Sequence, residues 1–144
     1  MELSCRCRYA LLALLELATC YSDGEPLQIR QIATQQNIPE RYLEQLLATL
    51  RRANLVRSQR GARGGYLLAR EPWKITLLDV MVCLEGSKVS AQDGATSGTV
   101  ENLVVQEVWR EARQMADAVF QKYTLQNLCE QRVAKQQQDI MYYI

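Results

Sequence analysis

Residues 28–70, QIRQIATQQNIPERYLEQLLATLRRANLVRSQRGARGGYLLAR, decide the fold of this chain. They contain two short amphipathic helical patterns joined by a tight turn. Two strand-like runs follow, with a loop rich in glycine and arginine between them. This order of elements is that of a winged helix-turn-helix. The predicted fold class is therefore mainly α with a small β-hairpin wing, a winged helix-turn-helix domain; a long helix later in the chain, predicted below as the dimerisation helix, completes it.

The second helical pattern, over about residues 39–53, is the predicted recognition helix. Apolar residues recur along it at intervals of three and four, which places them on one face of a helix. These residues are Leu43, Leu46, Leu47 and Leu50. Pro39 suits a first helical position, where its missing N–H has no partner to lose, and Asn37 tolerates the left-handed backbone of a sharp turn.

The predicted wing covers about residues 55–70, with strands at 55–60 and 66–70 and a hairpin tip at 61–65. From Arg51 to Arg70 there are six arginines and no acidic residue. A run of charge is usually only a solvated face. Here the arginines lie on the end of the predicted recognition helix and on the wing tip, where each cation can neutralise a DNA phosphate and release its counterion.

Several short segments within roughly the first 86 residues carry a family resemblance. They are RYA at 8–10, YLEQL at 42–46, LV at 55–56, RG at 60–61, GGYLL at 64–68, IT at 75–76 and LEG at 84–86. Together they resemble the IscR, NsrR and CymR type of bacterial transcription regulators, which are small dimeric winged-helix proteins. The joint occurrence of YLEQL and RGxxGGYLL makes the resemblance specific.

The resemblance implies which residues read the DNA. Arg41, Tyr42 and Gln45 lie where the family contacts bases and phosphates, and Arg60 lies where it enters the minor groove. Gln45 can pair with adenine and Arg41 with guanine. Glu44 either accepts a hydrogen bond from cytosine or holds Arg60 in place, and the sequence does not decide between the two.

Further predicted contacts to phosphates come from arginines on the helix end and the wing. They are Arg51, Arg52, Arg57 and Arg63. Pro39 and Glu40 depart from the polar, non-acidic residues that are usual at this helix start in the family, so the operator sequence is not predicted. For Tyr42 the alternative is packing toward the core.

The function implied by the resemblance is sequence-specific regulation of transcription, with repression as the expected direction. A homodimer would place two recognition helices in successive major grooves of double-stranded DNA, about 34 Å apart on a pseudo-palindromic operator, with the wings in the minor groove. The alternative is a winged-helix module that binds proteins without specific DNA readout. An enzyme is not expected, because the sequence groups no nucleophile, base and oxyanion site.

Composition indicates one small globular protein, and the charge distribution indicates that its DNA-binding half is the N-terminal half. Of the 144 residues, 48% are hydrophobic and 23% are charged. Residues 1–70 contain 10 basic and 6 acidic residues, while residues 71–144 contain 7 and 10. The predicted organisation is a winged helix-turn-helix domain at 1–85, a flexible loop at 86–98, and at 99–144 a dimerisation helix and a C-terminal helix that belong to the same compact unit.

The first twenty residues form an apolar stretch that resembles a signal peptide. Glu16 interrupts it, and the run from Tyr9 to Leu15 is too short to span a membrane. We therefore predict a buried N-terminal helix, no membrane segment and a cytoplasmic protein.

The chain has five cysteines and no histidine. The odd cysteine count suits a reducing compartment. In the iron-sulfur members of the family the loop equivalent to residues 86–98 carries three cysteine ligands, and this chain has none there. We therefore expect no iron-sulfur cluster, no metal and no cofactor.

Cys5 and Cys7 lie two residues apart on the predicted first helix, so their side chains point about 200° apart. The simpler interpretation is that both are ordinary helix residues. The competing hypothesis is a thiol sensor, because Arg6 and Arg8 beside them can lower a thiol pKa. A small-molecule or redox effector is open, and the sequence does not identify it.

The longest helical pattern runs from Thr99 to Tyr123, and its apolar stripe is wider than one small domain would cover. We assign one side of it to a partner subunit; the alternative is an intramolecular core helix. The predicted dimerisation residues are Val104, Val105, Val108, Trp109, Ala112, Met115 and Val119. Thr76 and Thr124 are predicted to cap the helices before and after it. No structure is predicted for residues 136–144.

Overall fold

The structure is a computed structural model that describes residues 3–85 and 98–142. Most of the predicted loop 86–98 therefore lies outside the described residues. In chain order the elements are α1 (Cys5–Thr19), α2 (Ile29–Gln36), α3 (Glu40–Arg52), β1 (Val56–Gln59), β2 (Gly65–Leu68), a short 3-10 turn (Pro72–Lys74), α4 (Leu77–Glu85), α5 (Val100–Lys122) and α6 (Leu125–Tyr142). The predicted fold class is confirmed.

Helix α1 lies at the centre of the core, as predicted for the first apolar stretch. It begins after Ser4, whose hydroxyl accepts a hydrogen bond from the backbone N–H of Cys7 at 3.2 Å. Its buried face packs against α2, α3, α4, β2 and α6. Among the described residues no helix is long and apolar enough to cross a membrane.

The helix-turn-helix is set by a left-handed residue and a buried leucine face. Asn37 has φ 53° and ends α2, and the N–H of Ile38 then returns to the carbonyl of Ala33 at 3.0 Å. Pro39 precedes the first residue of α3 and does not occupy its first helical position. All four predicted leucines of α3 are at most 2% exposed.

The wing is a two-stranded antiparallel hairpin in which Val56 pairs with Leu68 and Gln59 with Gly65. Its two consecutive glycines are needed because backbone passes close to them. A Cβ on Gly64 would lie 2.3 Å from the carbonyl oxygen of Gln59, and one on Gly65 would lie 2.4 Å from that of Leu27. The GGYLL motif therefore holds the wing close to the segment before α2.

The predicted caps of the later helices are confirmed, and they join the two halves of the chain. The N–H of Thr76 donates to the carboxylate of Asp79 and the Thr76 hydroxyl accepts from the N–H of Asp79, at 3.0 and 3.1 Å. Thr124 and Asn127 form the same reciprocal pair at 2.9 and 3.2 Å. Thr76 and Thr124 also form an antiparallel bridge, so the starts of α4 and α6 lie side by side.

Helix α5 buries none of its residues in the single chain. The alternative of an intramolecular core helix is therefore wrong. The large apolar residues among the predicted dimerisation set are each at least 51% exposed: Val104, Val105, Val108, Trp109, Met115 and Val119. Ala112 is exposed as well. Helix α6 continues to Tyr142, so the part of the tail that the structure describes is helical.

Glu16 is the buried acid that interrupts the apolar stretch of α1, and it connects three helices. It is 6% exposed, and its carboxylate lies 3.1 Å from the guanidinium of Arg132 on α6. The side-chain amide of Gln36, the last residue of α2, donates to the same carboxylate oxygen. Arg132 also donates to the hydroxyl of Thr19 at 3.5 Å. The ion pair thus ties the C-terminal helix to the helix-turn-helix.

Replacing Arg132 with methionine should destabilise the protein, because it leaves the Glu16 charge buried without its counter-ion. We expect a loss of about 2–3 kcal/mol in the free energy of unfolding, less than for a fully buried pair since one third of the Arg132 side chain is exposed. Urea denaturation measures it. Lys135→Met, an exposed change on the same helix, is the control, and equal stability of the two variants would contradict the role of the pair.

Candidate nucleic-acid interface

Helix α3 presents a polar face opposite its buried leucines. Arg41, Glu44 and Gln45 are exposed on it, so the predicted base-reading residues are accessible together. Tyr42 is half-buried, and its ring packs edge-on against Tyr9 of α1 with the centroids 5.6 Å apart. One side of the Tyr42 ring therefore packs toward α1, as the alternative interpretation of this residue predicted.

A cleft of about 690 Å³ lies between α3 and the wing. Arginines from three separate elements line it: Arg30 of α2, Arg51 of α3 and Arg60 after β1. The guanidinium of Arg51 donates to the hydroxyl of Ser58 at 3.4 Å, which links the helix end to the wing. The geometry can accept a polyanion between the helix and the wing.

The cleft also contains residues that the sequence pattern does not indicate. Arg30 and Gln59 line it. Arg30 lies outside the basic run at 51–70, and Gln59 is an uncharged residue within that run. The acidic residue that shares the cleft with Arg60 is Glu40. No ion pair joins Glu44 to Arg60 in the part of the chain that the structure describes, which leaves the Glu44 carboxylate available to a ligand.

Besides Arg52, two predicted phosphate contacts on the hairpin lie outside this cleft. Arg57 is exposed on β1 and Arg63 is exposed at the wing tip, and neither is among the residues that line the cleft. They extend the basic surface along the hairpin, which is where a contact to the DNA backbone beyond the recognition helix would lie.

A second concavity, of about 430 Å³, lies on another side of α3. It is lined by Arg6 of α1 and by residues of α3 that include Gln45 and Arg52. The guanidinium of Arg52 donates to the hydroxyl of Thr49 at 3.5 Å. Arg6 was considered from the sequence only as a neighbour of the two cysteines, because its position beside α3 depends on how α1 packs.

Cys7 and Cys5 differ in their surroundings. Cys7 is buried and its thiol donates to the carboxylate of Glu85 at 3.4 Å. Burial raises the pKa of the Cys7 thiol, Glu85 raises it further, and the hydrogen bond from Ser4 and the charge of Arg6 do not offset this. The lowered thiol pKa on which the competing thiol-sensor hypothesis depends is therefore not found at Cys7. Cys5 is exposed.

Thiol labelling tests this difference. With iodoacetamide at neutral pH, Cys5 should react first and Cys7 slowly, because a raised pKa leaves less thiolate at any pH below it. Glu85→Gln removes a charge that raises this pKa, so Cys7 should then react several-fold faster at the same pH, as followed by peptide mass spectrometry. Glu107→Gln on α5 is the control. Equal rates for Cys5 and Cys7 in the unmodified protein would contradict the assignment.

Comparison with known proteins relates this geometry to one family. A family model, Rrf2, described as an iron-dependent transcriptional regulator, matches residues 3–131. The HTH-type transcriptional regulator CymR of Bacillus subtilis is 37% identical over 144 residues, which cover 99% of each chain. The IscR regulator of Cereibacter sphaeroides is 36% identical over 115 residues, covering 76% of this chain and 74% of that protein.

Solved structures of such regulators have the same fold. IscR of T. potens superposes with a TM-score of 0.77 at 34% identity, covering 92% of this chain and 88% of that one. CymR of B. subtilis, described as the global cysteine regulator of that organism, also gives 0.77, at 36% identity and over 90% of this chain and 97% of that one. These relatives are named as regulators and not as enzymes, which confirms that expectation.

The description of the family names iron, and the residues described here do not fit an iron site. In residues 3–85 and 98–142 no three cysteine or acidic side chains lie close enough together to hold a metal ion. The chain also has no histidine to supply an imidazole ligand. The one fully buried cysteine among them, Cys7, donates its thiol hydrogen to Glu85.

Proposed function

The chain belongs to the Rrf2 family of transcriptional regulators, so it is a DNA-binding regulator of transcription. From this premise we propose that it represses its targets as a homodimer on a pseudo-palindromic operator. The observation that carries the proposal is the cleft beside the recognition helix, where Arg30, Arg51 and Arg60 converge from three elements. Repression is the proposed direction because a dimer that occupies the operator excludes other proteins from it.

In the proposed complex, α3 lies in the major groove with its exposed polar face toward the base edges. Gln45 pairs with adenine and Arg41 with guanine, while Glu44 accepts from cytosine. Arg60 enters the minor groove, whose narrow A·T-rich segments attract arginine. Phosphate contacts come from the remaining arginines: Arg51, Arg52, Arg57 and Arg63.

The proposed dimer forms through α5. The helix covers 23 residues, and the large apolar side chains of its stripe, such as Val104 and Trp109, are each more than half exposed. An exposed stripe of this length on a small protein is typical of a subunit interface. A second copy of α5 offers the matching apolar surface, and the resulting two-fold symmetry would bring two α3 helices to half-sites about 34 Å apart.

The proposed regulator uses no cofactor. The loop in which iron-sulfur members carry their cysteine ligands has none in this sequence. The proposed signal is a small-molecule or redox effector. Of Cys5 and Cys7, the exposed Cys5 is the thiol that an oxidant in solution can reach. A protein that reads chromosomal DNA in a bacterium works in the cytoplasm, which is the proposed location.

A salt titration tests the DNA-binding proposal. Affinity for fragments upstream of the protein's own gene should exceed affinity for random DNA of equal length by at least about a thousandfold, and should fall steeply with salt, because each neutralised phosphate releases counterions. Equal affinity for both fragments would contradict operator recognition. Absence of binding to either would favour the alternative, a winged-helix module that binds proteins.

Arg60→Ala tests the wing. Removing the guanidinium should cost at least about 1 kcal/mol of operator affinity if Arg60 is read directly in the minor groove. Fluorescence anisotropy with the upstream fragment measures it. Arg70→Ala, an exposed arginine after the second strand, is the matched control. A loss below that value for Arg60→Ala, or an equal loss for both variants, would contradict the assigned role.

Val108→Asp tests the dimer. Val108 lies in the middle of the exposed stripe of α5, so a carboxylate there would be buried without a partner in the proposed interface. We expect sedimentation velocity to show monomers and operator affinity to fall at least tenfold. Gln114→Asp adds the same charge on the polar side of α5 and should leave the dimer intact. A monomeric unmodified protein would overturn the proposal.

A further inference from the structure

The pocket between α1 and α3 has the chemistry of an anion site. Arg6 and Arg52 supply two guanidinium groups, and Tyr42, Gln45 and Thr49 supply polar hydrogen-bonding groups. No acidic residue lines it. A guanidinium presents its N–H groups in a planar fork that matches two oxygens of a phosphate.

Among the residues that the structure describes, neither cation of this pocket forms an ion pair. The ion pairs in the described residues join Lys74 to Glu71 and Arg132 to Glu16, and neither involves Arg6 or Arg52. Two positive charges that face one concavity repel each other, so an anion between them is favoured. The pocket has a volume of about 430 Å³, which admits a phosphate with its flanking groups.

The position of the pocket relates it to DNA. Consecutive residues at the end of α3 face different concavities, because Arg51 lines the cleft at the wing and Arg52 lines this pocket. Gln45, whose side chain is proposed to read bases, also lines the pocket. A helix seated in a major groove about 12 Å wide has a phosphate backbone on each side of it.

We infer that this pocket binds a backbone phosphate of the bound DNA, and that Arg6 makes the N-terminal helix a second anchor beside the recognition helix. The inference rests on the proposed DNA-binding mode. The cleft at the wing then holds one strand and the pocket holds the other. The contact to a phosphodiester carries no sequence information and sets the register of α3 in the groove.

The test compares Arg6→Gln with Arg8→Gln, which removes the same charge two residues further along the same helix. Binding to the upstream fragment and to random DNA is measured by anisotropy over a series of salt concentrations. Arg6→Gln should weaken binding to both fragments about tenfold and should reduce the slope of log affinity against log salt by roughly one, whereas Arg8→Gln should change neither. Thermal unfolding of both variants confirms that they fold.

The results distinguish a phosphate of the DNA backbone from a free phosphate ion in the pocket. An unchanged slope for Arg6→Gln, or an equal change for Arg8→Gln, overturns the inference. If inorganic phosphate displaces DNA from the unmodified protein better than chloride does at equal ionic strength, and Arg6→Gln also leaves the salt slope unchanged, the pocket binds a free anion and the inference is overturned. If neither fragment is preferred yet the slope falls by one, the operator proposal fails and the pocket inference stands. No DNA binding at all overturns both.

Discussion

The structure depends on burial of the apolar face of α1. Ala10, Ala13 and Leu14 are fully buried, and Leu17 is 2% exposed. Each fully buried leucine contributes about 1.5–3 kcal/mol relative to an exposed one, and the small alanines between them let neighbouring helices approach closely. Helices α2, α3, α4 and α6 and the strand β2 all contact this face. The recognition helix and the wing are therefore held relative to a single central element.

One charge within that apolar environment joins the DNA-binding half to the C-terminal half. Glu16 lies on the central helix. Its carboxylate accepts a hydrogen bond from Gln36 on α2 and forms an ion pair with Arg132 on α6. A buried carboxylate is costly unless its partners are in place. The C-terminal helix and the helix-turn-helix are consequently joined to the central helix through one side chain.

The basic surface shows why net charge alone is a poor guide to DNA binding. The chain has a formal net charge of +1. Its arginines nevertheless concentrate on both sides of α3, with Arg51 and Arg60 in the cleft and Arg6 and Arg52 in the pocket. Local potential near a polyanion depends on where charges converge and not on their sum. The acidic residues that balance the total lie mainly in the second half of the chain.

The sequence by itself determined the type and order of most elements, although not the helical continuation of α6 to Tyr142. Leucines at helical spacing, Asn37 at a left-handed turn and threonines at helix starts act through local geometry, so each could be assigned from neighbouring residues. The exposed stripe of α5 was also predictable, because its width exceeds what one small domain covers. The glycine pair of the wing was recognisable as part of a motif. The physical reason for it, the close approach of the Leu27 backbone, could not be predicted from the sequence.

Only the tertiary structure decided which residues meet. Arg6 lies on α1 and Arg30 on α2, whereas Arg52 ends α3 and Arg60 follows β1. Contacts between such distant segments depend on packing angles that no local pattern encodes. The same holds for Cys7, where the competing thiol-sensor hypothesis relied on the neighbouring arginines to lower the thiol pKa. Burial against Glu85, 78 residues away in the chain, raises it instead, because the cost of desolvating a thiolate is set by the folded environment and not by adjacent residues.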